Sequence, residues 1–510
     1  MNNINRIFFF ISMFFMLYSC KTNINHTYNI INYGAETGKL STKAIQSAIN
    51  DCYQNGGGMV YVPPGEFISG TIFLKSNVHL YLENGSIIKG SADMNDYSIE
   101  GKKYGLVYAE NSHNITISGT GTLDGNATFF HDVNVHHDSR DYDKQYTRQK
   151  DDFVNLAYGL EDGPIEYKER PDRILNMLYC ENVTVKDITM YDSPFWTVQF
   201  GRCSDVLIEG IRIFTNLLVP NSDGVDLIQS RNVRISNCDF RCGDDAIVVR
   251  GVSLCEKIPN PQYGNFSDYC ENITVTNCIL QSRSAGVRVG YGDLPIRNCI
   301  FSNLVIHDSN RGIGIFARSE ATIENIFFDN IIISCRLHKG NWWGAGEPIH
   351  ISSIPMSLSA LVNLECGVRA TKETSGIIRN LHFSNITAES ENGIVVWGDK
   401  ADDIQDLTFE NIRLLIKESP IAKIYGGNFD LRPTNSTATS IFEHDIPAIF
   451  ARNVDGFLLK NVNVNWSGNL LPFYTYALEC ENVKGLELEQ FKGNAAQSSM
   501  NPFFLKNTQK

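Results

Sequence analysis

From about residue 180 onward the chain repeats one phrase: an alternating apolar run, a polar residue followed by Asn, and a second alternating run. The polar pair appears as Ser236-Asn237, Thr276-Asn277, Ser302-Asn303, Asp329-Asn330, Ser384-Asn385, Glu410-Asn411 and Lys460-Asn461. Asp187 and Gly210 fill the same slot in two earlier copies. Most intervals are one or two units of about 26 residues, the length of one coil in a stacked-repeat protein. Asn, Asp and Gly tolerate left-handed backbone better than other residues, so each marks a sharp bend between two strands. Stacked Asn side chains can then hydrogen-bond from coil to coil. The flanking runs, such as Ile326-Phe327-Phe328 and Ile331-Ile332-Ile333, are rich in β-formers and alternate in polarity with their neighbours.

Propeller blades are longer and turn through hairpins, and no Leu-x-x-Leu-x-Leu register appears. The pattern therefore predicts an all-β fold, a single-stranded right-handed parallel β-helix (a solenoid), as one domain over about residues 27–508. Exposed parallel edges invite aggregation, so the ends need covering. Residues 41–54 show helical periodicity, start at Ser41 or Thr42 and stop at Gly56-Gly57-Gly58. They predict an N-terminal capping helix.

Composition narrows the function. A hydrophobic content of 43% and a charged content of 20% describe a folded globular chain. A net charge of -13 argues against nucleic acid or an anionic membrane surface as the main partner. Arg6 precedes the apolar run Ile7 to Tyr18, too short to span a bilayer. The run ends in Leu17-Tyr18-Ser19-Cys20, which resembles a bacterial lipoprotein lipobox with Cys20 as the lipidated residue. Residues 1–20 are thus expected to be a lipoprotein signal peptide, with an ordinary secretory signal as the alternative. The expectation is an exported monomer in the bacterial cell envelope, touching the membrane only through its lipid. Cys238, Cys278 and Cys299 follow an Asn inside the repeat and read as small buried hydrophobes. Cys255 and Cys270 bracket an irregular insert that a disulfide could close. No paired C-x-x-C framework for zinc is present.

The chemistry concentrates in Asn221-Ser222-Asp223-Gly224 and, one coil later, Asp244-Asp245. Each precedes a short β-rich run, Val225 to Ile228 and Ala246 to Val249. Neighbouring coils place such runs roughly 4.8 Å apart, so Asp223, Asp244 and Asp245 should converge. Carboxylates that close cannot ionise independently; one pKa rises while another stays low. Acid and base set apart in this way are what glycosidic hydrolysis requires. Acidic residues in coil turns are alternatively solvated caps or a calcium site.

At these residues the chain resembles the polygalacturonase family of β-helical hydrolases, glycoside hydrolase family 28. The stretch from Tyr33-Gly34-Ala35 through Gly56-Gly57-Gly58 to Pro63-Pro64-Gly65 looks like the opening coil of pectin-active β-helices. Ser193-Pro194-Phe195-Trp196 resembles the segment ahead of the first catalytic Asp. Asn221-Ser222-Asp223 matches the Asn-Thr-Asp motif, and Gly243-Asp244-Asp245 the Asp-Asp motif. The resemblance covers about residues 30–420. It implies an inverting hydrolase with Asp244 as general acid and Asp223 and Asp245 holding the water, without an organic cofactor. Two motifs depart from the pattern: Ala285 stands where the family has His, and Gly314 and Phe316 replace the Arg and Lys that grip a substrate carboxylate. That loss points away from unmodified homogalacturonan and toward another pectin-like plant or algal cell-wall polysaccharide.

Replacement contacts can be nominated. Arg288 lies between two valines and should face the cleft, and Arg318 keeps the parity of Gly314 and Phe316. The run His338 to His350, containing Trp342, Trp343, Glu347 and His350, has the composition of a sugar-binding loop, and Trp196 offers another aromatic face. The polar insert 131–172 should overhang the cleft. Its His136-His137-Asp138 lacks a second ligand cluster, so no metal is expected there. The competing functions are a non-catalytic glycan-binding β-helix and a calcium-dependent polysaccharide lyase.

Overall fold

The Asn residues that end each apolar run turn the chain. Asn237, Asn277, Asn303, Asn330, Asn385, Asn411 and Asn461 all have positive φ, between 51° and 59°, and Asp187 and Gly210 share a φ of 64°. Their side chains bond along the stack, for example Asn330 Nδ2 to Asn303 Oδ1 at 2.7 Å and Asn461 Nδ2 to Asn411 Oδ1 at 2.8 Å. A second ladder follows the same logic at Asn232, Asn272, Asn298, Asn325 and Asn380, linked by bonds of 2.7 to 3.4 Å. In a computed structural model describing residues 26–137, 141–153, 162–252, 261–264, 268–357 and 372–509, these bends build a right-handed parallel β-helix. Residues 1–20 with Cys20, and also Asp138 and Cys255, lie outside the described residues.

One parallel sheet takes a strand from each coil. In chain order these are β1 (Ile72–Phe73), β2 (Val107–Glu110), β3 (Leu175–Leu178), β4 (Val198–Gly201), β5 (Val225–Ile228), β6 (Ile247–Arg250) and β7 (Ala285–Gly290). They continue as β8 (Arg311–Ala317), β9 (Ile349–Ser353), β10 (Ile394–Gly398), β11 (Ile449–Arg452), β12 (Leu478–Glu481) and β13 (Phe503–Lys506). The remaining coil walls form a second parallel sheet, in which strands such as Ile296–Ser309 and Thr322–Cys335 bend at their Asn.

Register decides what faces inward. Val225 pairs with Ile247, Ile247 with Val287, and Val287 with Ile313, so one apolar column fills the barrel of the helix. Phe301, Phe328 and Phe383 stack inside the opposite wall with ring centroids 4.7 and 5.0 Å apart. Alternation then sends Asp226, Arg250, Arg288, Gly314, Phe316 and His350 to the outer face of the β5–β9 strands. Cys238, Cys278 and Cys299 are buried as the repeat implies. Cys270 is a buried thiol that points at Leu227 O; Cys255, the other half of the suggested disulfide, lies outside the described residues.

The N-terminal end is covered by α1 (Thr42–Gln54), which buries Ala44, Ile45, Ala48, Ile49 and Cys52 against the first coil. The Ser41 hydroxyl bonds Glu36 O and Lys39 O rather than capping the helix. Gly56, Gly57 and Gly58, at φ of 90°, 108° and 144°, end it in backbone that other residues avoid. Among the described residues no helix is long and apolar enough to cross a membrane.

Two excursions leave the coils on the side of the β1–β13 sheet. The insert after Asp124 pairs His131–His136 with Ile165–Tyr167 in antiparallel fashion. The connection between β10 and β11 forms a hairpin, Asn428–Asp430 against Ile441–Glu443.

Candidate active site

The turns entering β5 and β6 set the three carboxylates side by side. The ladder fixes them from below: Gly224 N–H donates to Asp245 O at 2.9 Å, and Thr197 N–H to Asp223 O at 2.8 Å. The Ser222 hydroxyl is buried between the turns, donating to Val219 O at 2.8 Å and accepting from Gly243 N at 3.0 Å. One carboxylate oxygen from each of Asp223, Asp244 and Asp245 lies within 4.8 Å of the others. They open into a cavity of about 300 Å³, also lined by Trp196, Asn221, Arg250, Ser284, Arg288 and Tyr291 and, on the far side, by Asp141, Arg311, Phe316, Trp343, Arg432 and Pro433.

The three acids are 2%, 6% and 4% exposed, yet their partners differ. Asp245 accepts the Ala285 N–H at 2.8 Å and forms an ion pair with Arg288. The position where the family pattern carries His thus contributes its backbone amide. Among the described residues Asp244 accepts only amide donors: Asp245 N at 2.9 Å, Asn221 N at 3.2 Å and Asn221 Nδ2 at 3.4 Å. Burial first, and then the Asp245 charge, push its pKa up to about 7. Asp223 Oδ1 has no hydrogen-bond partner, and burial followed by the Asp244 charge raises this carboxyl well above the ordinary range. Three oxygens spaced in this way can share one water at ordinary hydrogen-bond distances of about 2.8 Å. They also suit a hard cation, which takes carboxylate oxygens at about 2.3–2.6 Å.

A fourth carboxylate lies beneath. Asp226 on β5 points outward yet is fully buried, and neither of its oxygens has a hydrogen-bond partner. Burial raises its pKa to about 7 against the opposing pull of Arg288 and Arg250. Arg250 on β6 stacks between Trp196 and Tyr291, at 5.4 and 5.2 Å from the ring centroids. The alternation that assigns Arg288 to the cleft applies equally to Asp226 and Arg250, and it is the sequence signal for both.

Of the nominated contacts, Trp196, Arg288 and Trp343 line the cavity and four others do not. Arg318 is fully buried behind Phe316, donating to Ser352 O at 2.9 Å, Ser352 Oγ at 2.8 Å and Leu431 O at 3.1 Å. Its hydrogen bonds all go to the protein, and burial lowers its pKa to about 9. Trp342 turns into the insert and donates to Asp162 O. Glu347 accepts from Ala345 N at 2.6 Å and from His350 Nδ1 at 3.2 Å, with Arg311 Nη2 3.5 Å away. His350 is 0% exposed, its ring edge-on to Phe316 at 5.3 Å, and burial lowers its pKa to about 4. These side chains build the wall that holds Phe316. Arg311 and Arg318 flank the Phe316 ring at 5.0 and 4.9 Å from its centroid.

A right-handed parallel β-helix with a carboxylate-floored cavity on one sheet is the class that the fold and the site define. The profile described as glycosyl hydrolases family 28 matches residues 52–336, more than half of the chain. The chain belongs to that family. It is 24% identical over 252 residues to a probable polygalacturonase of Vitis vinifera, and 27% identical over 258 residues to an exo-poly-alpha-D-galacturonosidase of Dickeya chrysanthemi. Those alignments cover 46% and 44% of this chain but only 45% and 42% of the two relatives, so the match spans less than half of their length. Among solved structures, a family 28 exopolygalacturonase from Yersinia enterocolitica gives a TM-score of 0.56 at 16% identity, over 95% of this chain and 78% of that one. A hyperthermoactive exopolygalacturonase from Thermotoga maritima gives 0.53 at 20% identity, over 91% and 92%. Both likenesses concern the fold.

Proposed function

We propose that this chain hydrolyses O-glycosidic bonds of a pectin-like cell-wall polysaccharide, and the observation that carries the reading is the unequal partnering of Asp244 and Asp245. Asp244, with a pKa near 7 and no cation bonded to it, is suited to hold a proton and deliver it to the leaving oxygen. Asp245, ion-paired with Arg288, is suited to accept a proton from the water, and Asp223, whose Oδ1 has no partner, to orient it. The water oxygen bonds to the anomeric carbon as the glycosidic C–O bond breaks. The Asp244 proton goes to the departing oxygen, and the water proton to Asp245. Inversion at the anomeric carbon is the outcome the family resemblance supports. One oxygen of each carboxyl lies within 4.8 Å of the others, so a single water can be held among all three.

Phe316 gives the substrate its character. An apolar ring stands where the family pattern has a cation, so the sugar there is uncharged, as a deoxy, neutral or esterified unit is. Export through the lipobox ending at Cys20 would place the enzyme where such polymers are met.

Reducing-end release across homogalacturonan, rhamnogalacturonan and algal glycans, by wild type and Asp244→Asn, tests the reading. Proton NMR of the first product reports the anomer. Products carrying an ultraviolet-absorbing unsaturated bond, lost on adding a chelator, would replace hydrolysis with a lyase reaction. Binding without new reducing ends would make the chain a glycan-binding protein.

A further inference from the structure

The outer face of the β1–β13 sheet would be expected to form an open groove along the helix axis, wide enough for a polymer to lie through. It is blocked. His350 and Ser352 on β9 and Val395 on β10 all point outward, yet they are 0%, 0% and 1% exposed. The 428–443 hairpin covers them. Phe429 packs on Trp397 and Phe450, and Leu431 joins the same apolar core.

The hairpin is tied on both sides of the groove. On the side where strands begin, Asp430 Oδ2 accepts from Gly344 N at 2.8 Å. On the side where strands end, Leu431 O accepts from Arg318 at 3.1 Å, and Asn435 N–H donates to Pro355 O at 3.0 Å. Between these anchors the chain crosses the groove one strand beyond Phe316. Arg432 then bonds both Asp430 oxygens and reaches Asp141 Oδ1 at 2.8 Å, joining the hairpin to the insert. Arg148 of the insert adds a tie to Asp445 at 2.7 Å. The opposite direction is covered too: the outward residues Tyr108 on β2, Asn176 on β3, Gln199 on β4 and Ile228 on β5 are all 3% exposed or less.

We propose that the site is a chain-end pocket, and that the enzyme removes one or two sugars at a time from the end of a polymer or oligomer. The inference rests on the hydrolase reading above. A cavity of about 300 Å³ is at the small end of ligand sites, which run from about 300 to 1,000 Å³. A through-running polymer would need the hairpin displaced from Asp141, Gly344, Arg318 and Pro355 together.

The test is product analysis at early turnover on the same glycan panel, with solution viscosity followed alongside reducing ends. A chain-end pocket yields mono- or disaccharide as the first product and leaves viscosity nearly unchanged. A ladder of intermediate oligomers with rapid viscosity loss would overturn the chain-end pocket and leave the hydrolase reading standing. No product from any glycan would overturn the hydrolase reading and the pocket with it. In Asp141→Ala, which removes the outer strut while keeping the Asp430–Arg432 pair, products longer than a disaccharide should rise several-fold. Arg432→Ala should do so more strongly if it folds. An unchanged distribution in Asp141→Ala, with wild type releasing only mono- or disaccharide, would count against closure by this hairpin.

Discussion

Arg288 and Asp245 form a buried ion pair on the cavity floor, while Asp244, the preceding residue, has only amide donors among the described residues. One side chain is thereby held by a cation, while burial and its neighbour's charge push the pKa of the other up to about 7. Asp244→Asn keeps the shape and the hydrogen bonding but removes the transferable proton. Turnover should fall by at least about a hundredfold, with the melting temperature close to that of wild type. Steady-state rates and thermal unfolding of the same preparation check both halves.

The pH profile follows from the same pair. A group that must be protonated is lost as pH rises through its pKa, so activity should decline above about pH 7. Arg288 pulls the Asp244 pKa down, and its removal lets that value climb. Arg288→Gln should move the alkaline limb of kcat/KM upward by about one pH unit. The maximum should drop at least about tenfold, because Asp245 loses its cation. An alkaline limb that stays in place would separate Asp244 from the acid role.

Asp226 links the site to stability. Its folded pKa, raised to about 7, exceeds the unfolded carboxylate value of about 3.9. The native state therefore binds the extra proton, and its contribution is present below pH 4 and lost as pH rises through 7. Asp226→Asn cannot ionise and escapes that loss. It should be more stable than wild type at pH 8, by about 1–3 kcal/mol, and little different at pH 4. Denaturant titrations at the two pH values give the comparison.

The fold was readable because its constraint is local. A left-handed bend at each Asn depends on that residue alone, so Asn237 through Asn461 announce the coils without any tertiary information. The carboxylate trio was readable for a related reason: one coil of separation becomes one strand of distance. Parity along a strand also says which side chains point outward, and it holds for Arg288, Asp226 and Arg250. It cannot say what covers them. Arg318 is bound by the 428–443 hairpin, which arrives more than 100 residues later along the chain, and His350 is buried against Phe316 and Glu347. Trp342 is drawn away by Asp162, from an insert that lies 180 residues earlier.

The proposed address rests on Cys20, where Leu17-Tyr18-Ser19 supplies the apolar approach and the small residue before the thiol. Cys20→Ser removes the atom that would carry the lipid. The variant should move from the membrane fraction to the soluble fraction, since a lipid anchor is then the main hold on the bilayer. Membrane retention of the variant would contradict the anchor.

Substrate choice turns on Phe316. Its ring lines the cavity between Arg311 and Arg318, but Arg318 is committed to Ser352 and Leu431, and Arg311 lies beside Glu347. Arg288 is matched to Asp245 and Arg432 to Asp430 and Asp141. A uronate at Phe316 would enter an apolar position in a cavity that already holds Asp223, Asp244 and Asp245, where the two guanidiniums on that ring already have protein partners. Unmodified homogalacturonan should therefore be cleaved slowly or not at all. Polymers with an uncharged unit at that position should be turned over at rates nearer the enzyme median of about 10 per second. Phe316→Ala should raise KM for the preferred glycan by about tenfold, the loss of a buried aromatic contact, while moving kcat less. Rapid hydrolysis of polygalacturonate by wild type would sink this assignment. Arg250, stacked between Trp196 and Tyr291, would then be the cation to replace first.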